Sequence, residues 1–217
     1  MRGETAGSAS DCRRSGPGLP AALAAAILLA LPPRPLGAEP ADPLRVAAVS
    51  PAGPFDKGAL GIEFALGAFN EAWNLNDGRE WLLDGTAGVW WSFADRAMLV
   101  TEFHAARVFQ SPSRAAYING FTPLLRWRVL QPRSWTLFVD LGPGISWSDT
   151  VVPPRGTRFN YLLLAGTGLS RRIGAQTHAV VGFRWLHVSN NGREGRGRNP
   201  DIEALGGYGG ISVALSR

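Results

Sequence analysis

The stretch Trp135–Trp147, WTLFVDLGPGISW, decides the fold because its side chains alternate in character. Its odd positions are all apolar, whereas its even positions are mostly polar or glycine and include the carboxylate of Asp140. A repeat of two residues is the period of a β-strand, in which successive side chains point to opposite faces of a sheet. The stretch therefore predicts a strand with one apolar face and one polar, glycine-rich face.

The same period of two recurs along most of the remaining chain. Seven further segments cover residues 59–69, 81–93, 96–109, 117–129, 159–171, 176–189 and 203–215. Between the eight segments, long connections (70–80, 110–116, 148–158 and 190–202) alternate with short ones near 94–95, 131–133 and 173–175. Such alternation is typical of an up-and-down barrel with its tight turns at one end and its longer loops at the other. We therefore predict an all-β, eight-stranded antiparallel barrel.

Two classes of protein share this alternation and differ in the face that points outward. A soluble barrel or sandwich turns its polar face to water, whereas a membrane barrel turns its apolar face to lipid. The polar face here balances acids against basic residues, as expected for a network that fills a narrow lumen. Its members are Glu63, Asp84, Glu102, His104, Arg126, Arg128, Asp140 and Arg184. The apolar face carries tryptophans near the segment ends, at 81 and 91 and at 135 and 147, which favours the aromatic girdles of a transmembrane barrel.

The N-terminal region has the pattern of a secretory signal peptide. Basic residues precede an apolar run at 19–31, which is too short to span a bilayer of about 30 Å, and Leu36-Gly37-Ala38 supplies the small residues of a cleavage site. We expect residues 1–38 to be the signal peptide, 39–58 an N-terminal periplasmic lead-in and 59–217 an outer-membrane barrel. The single cysteine, Cys12, lies in the signal, which excludes a disulfide scaffold or a cysteine-rich metal site in the mature chain.

Composition and charge narrow the choice of function. The 27 glycines and eight tryptophans among 217 residues favour β-structure. The formal net charge falls from +5 to +3 without residues 1–38, because four arginines and two acids leave with them. A charge this small, without a recognisable nucleic-acid-binding motif, argues against nucleic acid as a partner.

His187 and Ser189 fall on the same face of the predicted strand at 176–189. Residues i and i+2 of a strand lie about 6.5–7 Å apart, a gap that an imidazole spans to reach a serine hydroxyl. The odd-numbered residues of this segment form its apolar face, so both side chains are predicted to face lipid. Polar groups there cost free energy unless they lie at the headgroup level or have a function. Because this strand runs from a short turn to a long loop, we expect the pair at the outer rim.

Serine–histidine chemistry also needs an acid that orients the imidazole and stabilises its cation. The residues after Ser189 offer three, which we rank Glu203 first, Asp201 second and Glu194 third. Glu203 ranks first because it opens the next predicted strand, which should pair with the strand of His187. A strand holds a side chain more rigidly than a glycine-rich loop does.

The runs HVSN at 187–190 and NPDIE at 199–203, with Gly192 between them, resemble the signature of the lipid A 3-O-deacylases of the PagL type. The resemblance implies an eight-stranded outer-membrane barrel that cuts the ester bond at position 3 of lipid A. It implies that Ser189, His187 and Glu203 are the catalytic residues.

The resemblance also implies supporting roles and a setting. Asn190 would support the site, and backbone amides near Asn199 and Gly192 would form the oxyanion hole. Asn191 stands where the family usually has alanine. The substrate would be the lipid A of lipopolysaccharide, reached from the outer leaflet of a Gram-negative outer membrane, with neither a metal nor an organic cofactor. A homodimer is left open.

Other interpretations stay open at this point. A non-catalytic small barrel with a structural or adhesion role would also have these strands. A lipid A acyltransferase would need a donor pocket inside the barrel, against which the predicted lumen charges argue. The arginines of the last loop are either a solvated surface or a site that attracts the phosphates of lipid A; they are Arg193, Arg196 and Arg198.

Overall fold

The computed structural model describes residues 55–73, 79–131 and 134–216. The predicted signal peptide, 1–38, and most of the predicted lead-in, 39–54, lie outside these residues. Eight strands follow one another: β1 (Leu60–Glu71), β2 (Trp81–Ala94), β3 (Ala97–Phe109), β4 (Ala116–Leu130), β5 (Trp135–Val152), β6 (Thr157–Arg172), β7 (Thr177–Ser189) and β8 (Ile202–Ser216). A single 3-10 turn, Arg196–Arg198, precedes β8.

Each strand pairs antiparallel with the next, and β8 pairs with β1, so the sheet closes into a barrel. The prediction of an eight-stranded antiparallel barrel is confirmed. The described part of the chain contains no helix with the length and apolar composition needed to cross a bilayer.

One predicted loop is wrong. The connection expected over residues 148–158 is a four-residue turn at 153–156, because β5 continues to Val152 and β6 begins at Thr157, its register partner. The alternation of apolar and polar residues stops at Trp147, and Ser148, Asp149 and Thr150 are all polar. A strand that extends beyond the hydrocarbon layer has no reason to keep an apolar face. The remaining connections at this end of the barrel are residues 72–80, 110–115 and 190–201; we call this end the loop end.

The outer wall of the barrel is apolar and has aromatic residues at both ends. Exposed side chains at the loop end are Trp81, Tyr117 and Trp147, and those at the end of the tight turns are Trp91, Trp127 and Trp135. The ten residue steps from Trp81 to Trp91 span about 33 Å along a strand. With a strand tilt near 40°, this corresponds to about 25 Å across the membrane, the usual height of the apolar band. The two girdles predicted from the sequence are present.

Buried ion pairs fill the lumen. Arg126 donates to both carboxylate oxygens of Glu63, at 2.8 and 3.1 Å, and to both of Asp140, at 2.8 and 3.0 Å. Arg184 donates to both oxygens of Glu102 at 2.8 Å and to Asp140 at 3.2 Å. All five side chains are buried. Charges removed from water in this way persist only when paired and hydrogen-bonded, so this network accounts for the polar face of the strands.

Glycines on the inner face make room for two large rings. A Cβ atom at Gly168 would lie 2.4 Å from the ring of Phe138, and one at Gly182 would lie 2.5 Å from the ring of Tyr208. The four residues form one row across β5, β6, β7 and β8, in which Phe138 pairs with Gly168, Gly168 with Gly182, and Gly182 with Tyr208. Ring and glycine therefore alternate around the narrow interior, which explains part of the high glycine content.

Candidate active site

Strands β7 and β8 bring His187 and Glu203 together near the loop end. The two residues are direct register partners across β7 and β8, a pairing that puts Cβ atoms about 4.5–5.5 Å apart. Odd-numbered residues of β7 face outward, since Val181 and Phe183 are 56% and 51% exposed. His187 shares their parity, so the predicted pair lies on the outer wall and not in the lumen.

A continuous chain of hydrogen bonds joins the three predicted catalytic residues. His187 Nδ1 lies 2.7 Å from Glu203 Oε1, and His187 Nε2 lies 2.9 Å from Ser189 Oγ. Because an ionised carboxylate can only accept, Nδ1 carries the imidazole proton in this arrangement. Nε2 is then left with a lone pair that accepts the hydroxyl proton of Ser189. The arrangement provides a hydroxyl, a base in contact with it and an acid that orients the base.

Trp185 is a member of this site that sequence reasoning missed. Its Nε1 donates to Glu203 Oε2 at 2.6 Å, and its ring stacks on that of His187 with centroids 6.0 Å apart. Both oxygens of the Glu203 carboxylate are therefore engaged. A signal was present, because Trp185 precedes His187 by two residues and so shares its face, but tryptophans on this face have a general explanation as lipid contacts.

The two other candidate acids lie elsewhere in the loop that follows β7. Glu194 forms an exposed ion pair with Arg198 at 2.8 Å. Asp201 is the last residue before β8 and lies close to the His187–Glu203 pair. Of the three carboxylates, Glu203 is the one whose contact with the imidazole is a hydrogen bond, at 2.7 Å.

Asn190 and Asn199 brace the loop after Ser189. The Asn190 amide N–H donates to Asn199 Oδ1 at 3.0 Å, and Asn190 Nδ2 donates to the carbonyl of Arg198 at 2.5 Å. Asn190 Oδ1 accepts from the N–H of Gly192 at 2.9 Å. Asn191 has a φ of 54° and Gly192 one of 70°, a left-handed conformation that asparagine and glycine tolerate best. The Gly192 N–H predicted for the oxyanion hole is engaged with Asn190 in this state.

A pocket of about 640 Å³ opens beside Asn190, at the loop end of β5 and β6. Its lining combines aromatic and apolar side chains with three arginines. The lining residues are Trp147, Val151, Thr157, Arg158, Phe159, Asn190, Arg193, Glu194 and Arg198. Pockets that combine an apolar wall with a few charged groups suit amphipathic ligands.

The wall of this pocket continues to the register partner of Ser189. Tyr161 pairs with Ser189 across β6 and β7, and its ring packs edge-on against Phe159 at 5.4 Å. Arg193 donates to the Tyr161 hydroxyl at 3.3 Å and lies over the ring of Phe159. The aromatic surface of Tyr161 and Phe159 thus begins at the strand position beside Ser189, and Arg193 contacts that surface.

A second pair of acids lies at the loop end, beside β8. The Glu80 N–H donates to Glu71 Oε2 at 3.3 Å, and the N–H of Ala72 donates to the carbonyl of Glu203 at 2.7 Å. Glu80 is only 2% exposed. Burial, together with the neighbouring Glu71 carboxyl group, raises the pKa of Glu80 from 4.5 to about 8.

Comparison with solved structures finds proteins of similar fold. Neisserial surface protein A matches with a TM-score of 0.53 at 11% identity, over 73% of this chain and all of that chain. The outer membrane protein OprG from Pseudomonas aeruginosa matches with a TM-score of 0.50 at 12% identity, over 76% of this chain and 100% of the other. The outer membrane enzyme PagL has 19% identity and a TM-score of 0.48, over 70% of this chain and 98% of that chain.

A comparison with curated proteins finds no match. A family model does match: the model described as Lipid A 3-O-deacylase (PagL) covers residues 56–212, which is well over half of the chain and includes every residue of the site. Because that match and the barrel fold agree, the chain is an outer-membrane β-barrel and belongs to the lipid A 3-O-deacylase (PagL) family.

Proposed function

We propose that this barrel is a serine esterase that hydrolyses the 3-O-linked acyl chain of lipid A. The observation that carries the proposal is the chain of contacts from Ser189 Oγ through His187 to Glu203, with distances of 2.9 and 2.7 Å. Both distances are within the range of a hydrogen bond, as expected for a nucleophile, its base and the group that orients the base.

In the proposed reaction, Ser189 Oγ attacks the carbonyl carbon of the ester while His187 Nε2 takes the hydroxyl proton. Glu203 holds the imidazole in the required tautomer and stabilises the imidazolium that forms. Collapse of the tetrahedral intermediate expels the sugar oxygen, which receives the proton from His187. Water, deprotonated by the same imidazole, then attacks the acyl-enzyme. The fatty acid leaves and Ser189 is restored.

The oxyanion of the tetrahedral intermediate needs hydrogen-bond donors in place before it forms. We retain the assignment of these donors to backbone amides near Gly192 and Asn199. The Gly192 N–H is already engaged, because it donates to Asn190 Oδ1. Substrate binding would have to exchange that bond for one to the oxyanion.

We place the site at the outer leaflet. The triad lies at the loop end of the barrel, and outer-membrane barrels carry their longer loops on the extracellular side and their short turns in the periplasm. On this orientation Ser189 lies near the headgroups of the outer leaflet, where lipid A is found.

The pocket beside Asn190 is the proposed binding site for the rest of the substrate. Phe159 and Trp147 offer an apolar surface for an acyl chain, and Arg158, Arg193 and Arg198 offer guanidinium groups for phosphate. Arginine binds phosphate with two parallel hydrogen bonds. The loop arginines at 193 and 198 therefore have a proposed role beyond that of a solvated surface.

The test is the mass of lipid A from a Gram-negative host that expresses the full chain. We expect the lipid A to lose one hydroxyacyl chain, and Ser189→Ala, His187→Ala and Glu203→Ala to prevent the loss. Ser134→Ala, an exposed serine in the turn before β5, is the matched control and should retain activity. Unchanged lipid A, or full activity in Ser189→Ala, would contradict the proposal. A gained acyl chain would indicate an acyltransferase instead, and a phenotype untouched by all three variants would indicate a non-catalytic barrel.

A further inference from the structure

Asp201 adds a third ligand group to the His187–Glu203 pair. One donor atom from each of the three side chains lies within 4.8 Å of a donor atom of the other two. Asp201 immediately precedes β8, and Asp201 and Glu203 flank the buried Ile202. We propose that His187, Asp201 and Glu203 form a binding site for Zn²⁺ and that the ion inhibits the esterase. The inhibition rests on the proposed function, whereas the binding does not.

The donor set suits zinc. One imidazole nitrogen and two carboxylate oxygens are typical zinc ligands, and sites open to solvent use three protein ligands with water as the fourth. Zinc–ligand distances of about 2.0–2.2 Å put tetrahedral ligand atoms about 3.3–3.6 Å apart. The present cluster would have to contract by about an ångström at its widest point. Magnesium fits less well, because it prefers oxygen ligands in an octahedral arrangement.

The ion can reach the site from water. The side chain of His187 is 25% exposed and that of Glu203 is 15% exposed, so neither group is sealed in the barrel wall. Two carboxylates would neutralise the charge of Zn²⁺, which lowers the cost of placing the ion close to the lipid.

Metal binding at this position would block catalysis through the tautomer of His187. Nε2 contacts Ser189 Oγ, so Nδ1 is the nitrogen that meets the carboxylates. Zinc needs the lone pair of Nδ1, and the proton that Nδ1 donates to Glu203 must leave that atom. The neutral imidazole then carries its proton on Nε2, where it donates to Ser189 instead of accepting from it. A serine without a base is not activated.

The first arm of the test measures binding without catalysis. Calorimetry of purified full-length Ser189→Ala in detergent should give one Zn²⁺ per chain, because Ser189 is not among the ligands. Adding Asp201→Asn should weaken binding at least tenfold, whereas Asp95→Asn, an exposed acid in the turn between β2 and β3, should not. Absence of binding, or equal affinity with and without Asp201→Asn, would overturn the site.

The second arm measures turnover of a soluble nitrophenyl acyl ester. Zn²⁺ should abolish turnover by the wild-type chain, a chelator should restore it, and the same concentration of Mg²⁺ should have no effect. Asp201→Asn should keep its zinc-free turnover within about threefold of wild type and need at least ten times more Zn²⁺ for inhibition. Binding without inhibition, or equal inhibition by Mg²⁺, would overturn the inhibitory role. Absence of turnover in zinc-free enzyme would count against the proposed function, and the calorimetric arm would still decide the site.

Discussion

Trp185 Nε1 donates a hydrogen bond to Oε2 of Glu203 at 2.6 Å, while Oε1 of the same carboxylate contacts His187. The carboxylate is therefore held at both oxygens, and its plane is fixed relative to the imidazole. A carboxylate held at one oxygen only is free to rotate away from the imidazole. Trp185 is thus a positioning residue in the proposed mechanism, acting through Glu203 without contact to the reacting atoms.

Trp185→Phe tests this role because it keeps an aromatic ring and removes the donor. We expect kcat to fall about tenfold, the equivalent of one hydrogen bond to a charged group, with KM unchanged. The pH profile of kcat should also shift, because a loosely held Glu203 stabilises the imidazolium less. Trp135→Phe, at the opposite end of the barrel, is the control. An unchanged pH profile together with wild-type kcat would show that the indole only packs.

Glu203→Gln should be far more damaging than Asp201→Asn. The amide of glutamine keeps the size of the side chain but cannot stabilise an imidazolium, and its NH₂ group can favour the wrong tautomer of His187. An equivalent change in a serine protease triad lowers kcat by about 10⁴. We expect a loss of at least 10³ for Glu203→Gln and less than threefold for Asp201→Asn, measured as ester turnover. Equal losses would mean that the two acids share the role.

Arg126→Met should destabilise the barrel strongly. The substitution leaves the carboxylates of Glu63 and Asp140 buried without their principal partner, which typically costs about 3–5 kcal/mol. The free energy of unfolding in a detergent–urea titration measures the effect. Arg171→Met, an exposed arginine at the end of the tight turns, should change it by less than about 0.5 kcal/mol. A similar small change for Arg126→Met would mean that the lumen relaxes around the missing charge.

The Glu71–Glu80 pair should make stability depend on pH. The pKa of Glu80 is about 8 in the folded chain and near 4.5 when unfolded, so the folded state holds a proton that the unfolded state releases above pH 4.5. The stabilisation that this bound proton gives to the folded state is complete below pH 4.5 and is lost as the pH rises to about 8. Glu80→Gln should flatten this slope and raise stability at pH 9, read from thermal unfolding. Glu194→Gln, on an exposed acid, should leave the slope as it is.

Most of the correct predictions came from the alternation of side chains between the two faces of each strand. Alternation identified all eight strands. It also predicted that residues 187 and 189 share a face, and the pairing of His187 with Glu203 across β7 and β8 adds residue 203 to that face. The short turn at 153–156 was not predicted, because the polar residues beyond the bilayer have no alternating pattern. The contact between Trp185 and Glu203 was not predicted, because it depends on a side-chain rotamer and not on the strand pattern. Glu71 ends β1 and Glu80 immediately precedes β2, and sequence spacing alone does not reveal that the two residues meet.

The rings and ion pairs that fill the lumen also decide how a substrate arrives at Ser189. Phe138, Tyr208 and the buried side chains of Arg126 and Arg184 occupy the interior, and the triad faces outward. The proposed reaction therefore draws its substrate from the surrounding bilayer by lateral diffusion. The encounter rate then depends on lipid molecules per unit area and not on their molarity in water. In mixed micelles, turnover should follow the mole fraction of substrate and stay constant when lipid and detergent are diluted together. Catalysis in this barrel would be a two-dimensional process.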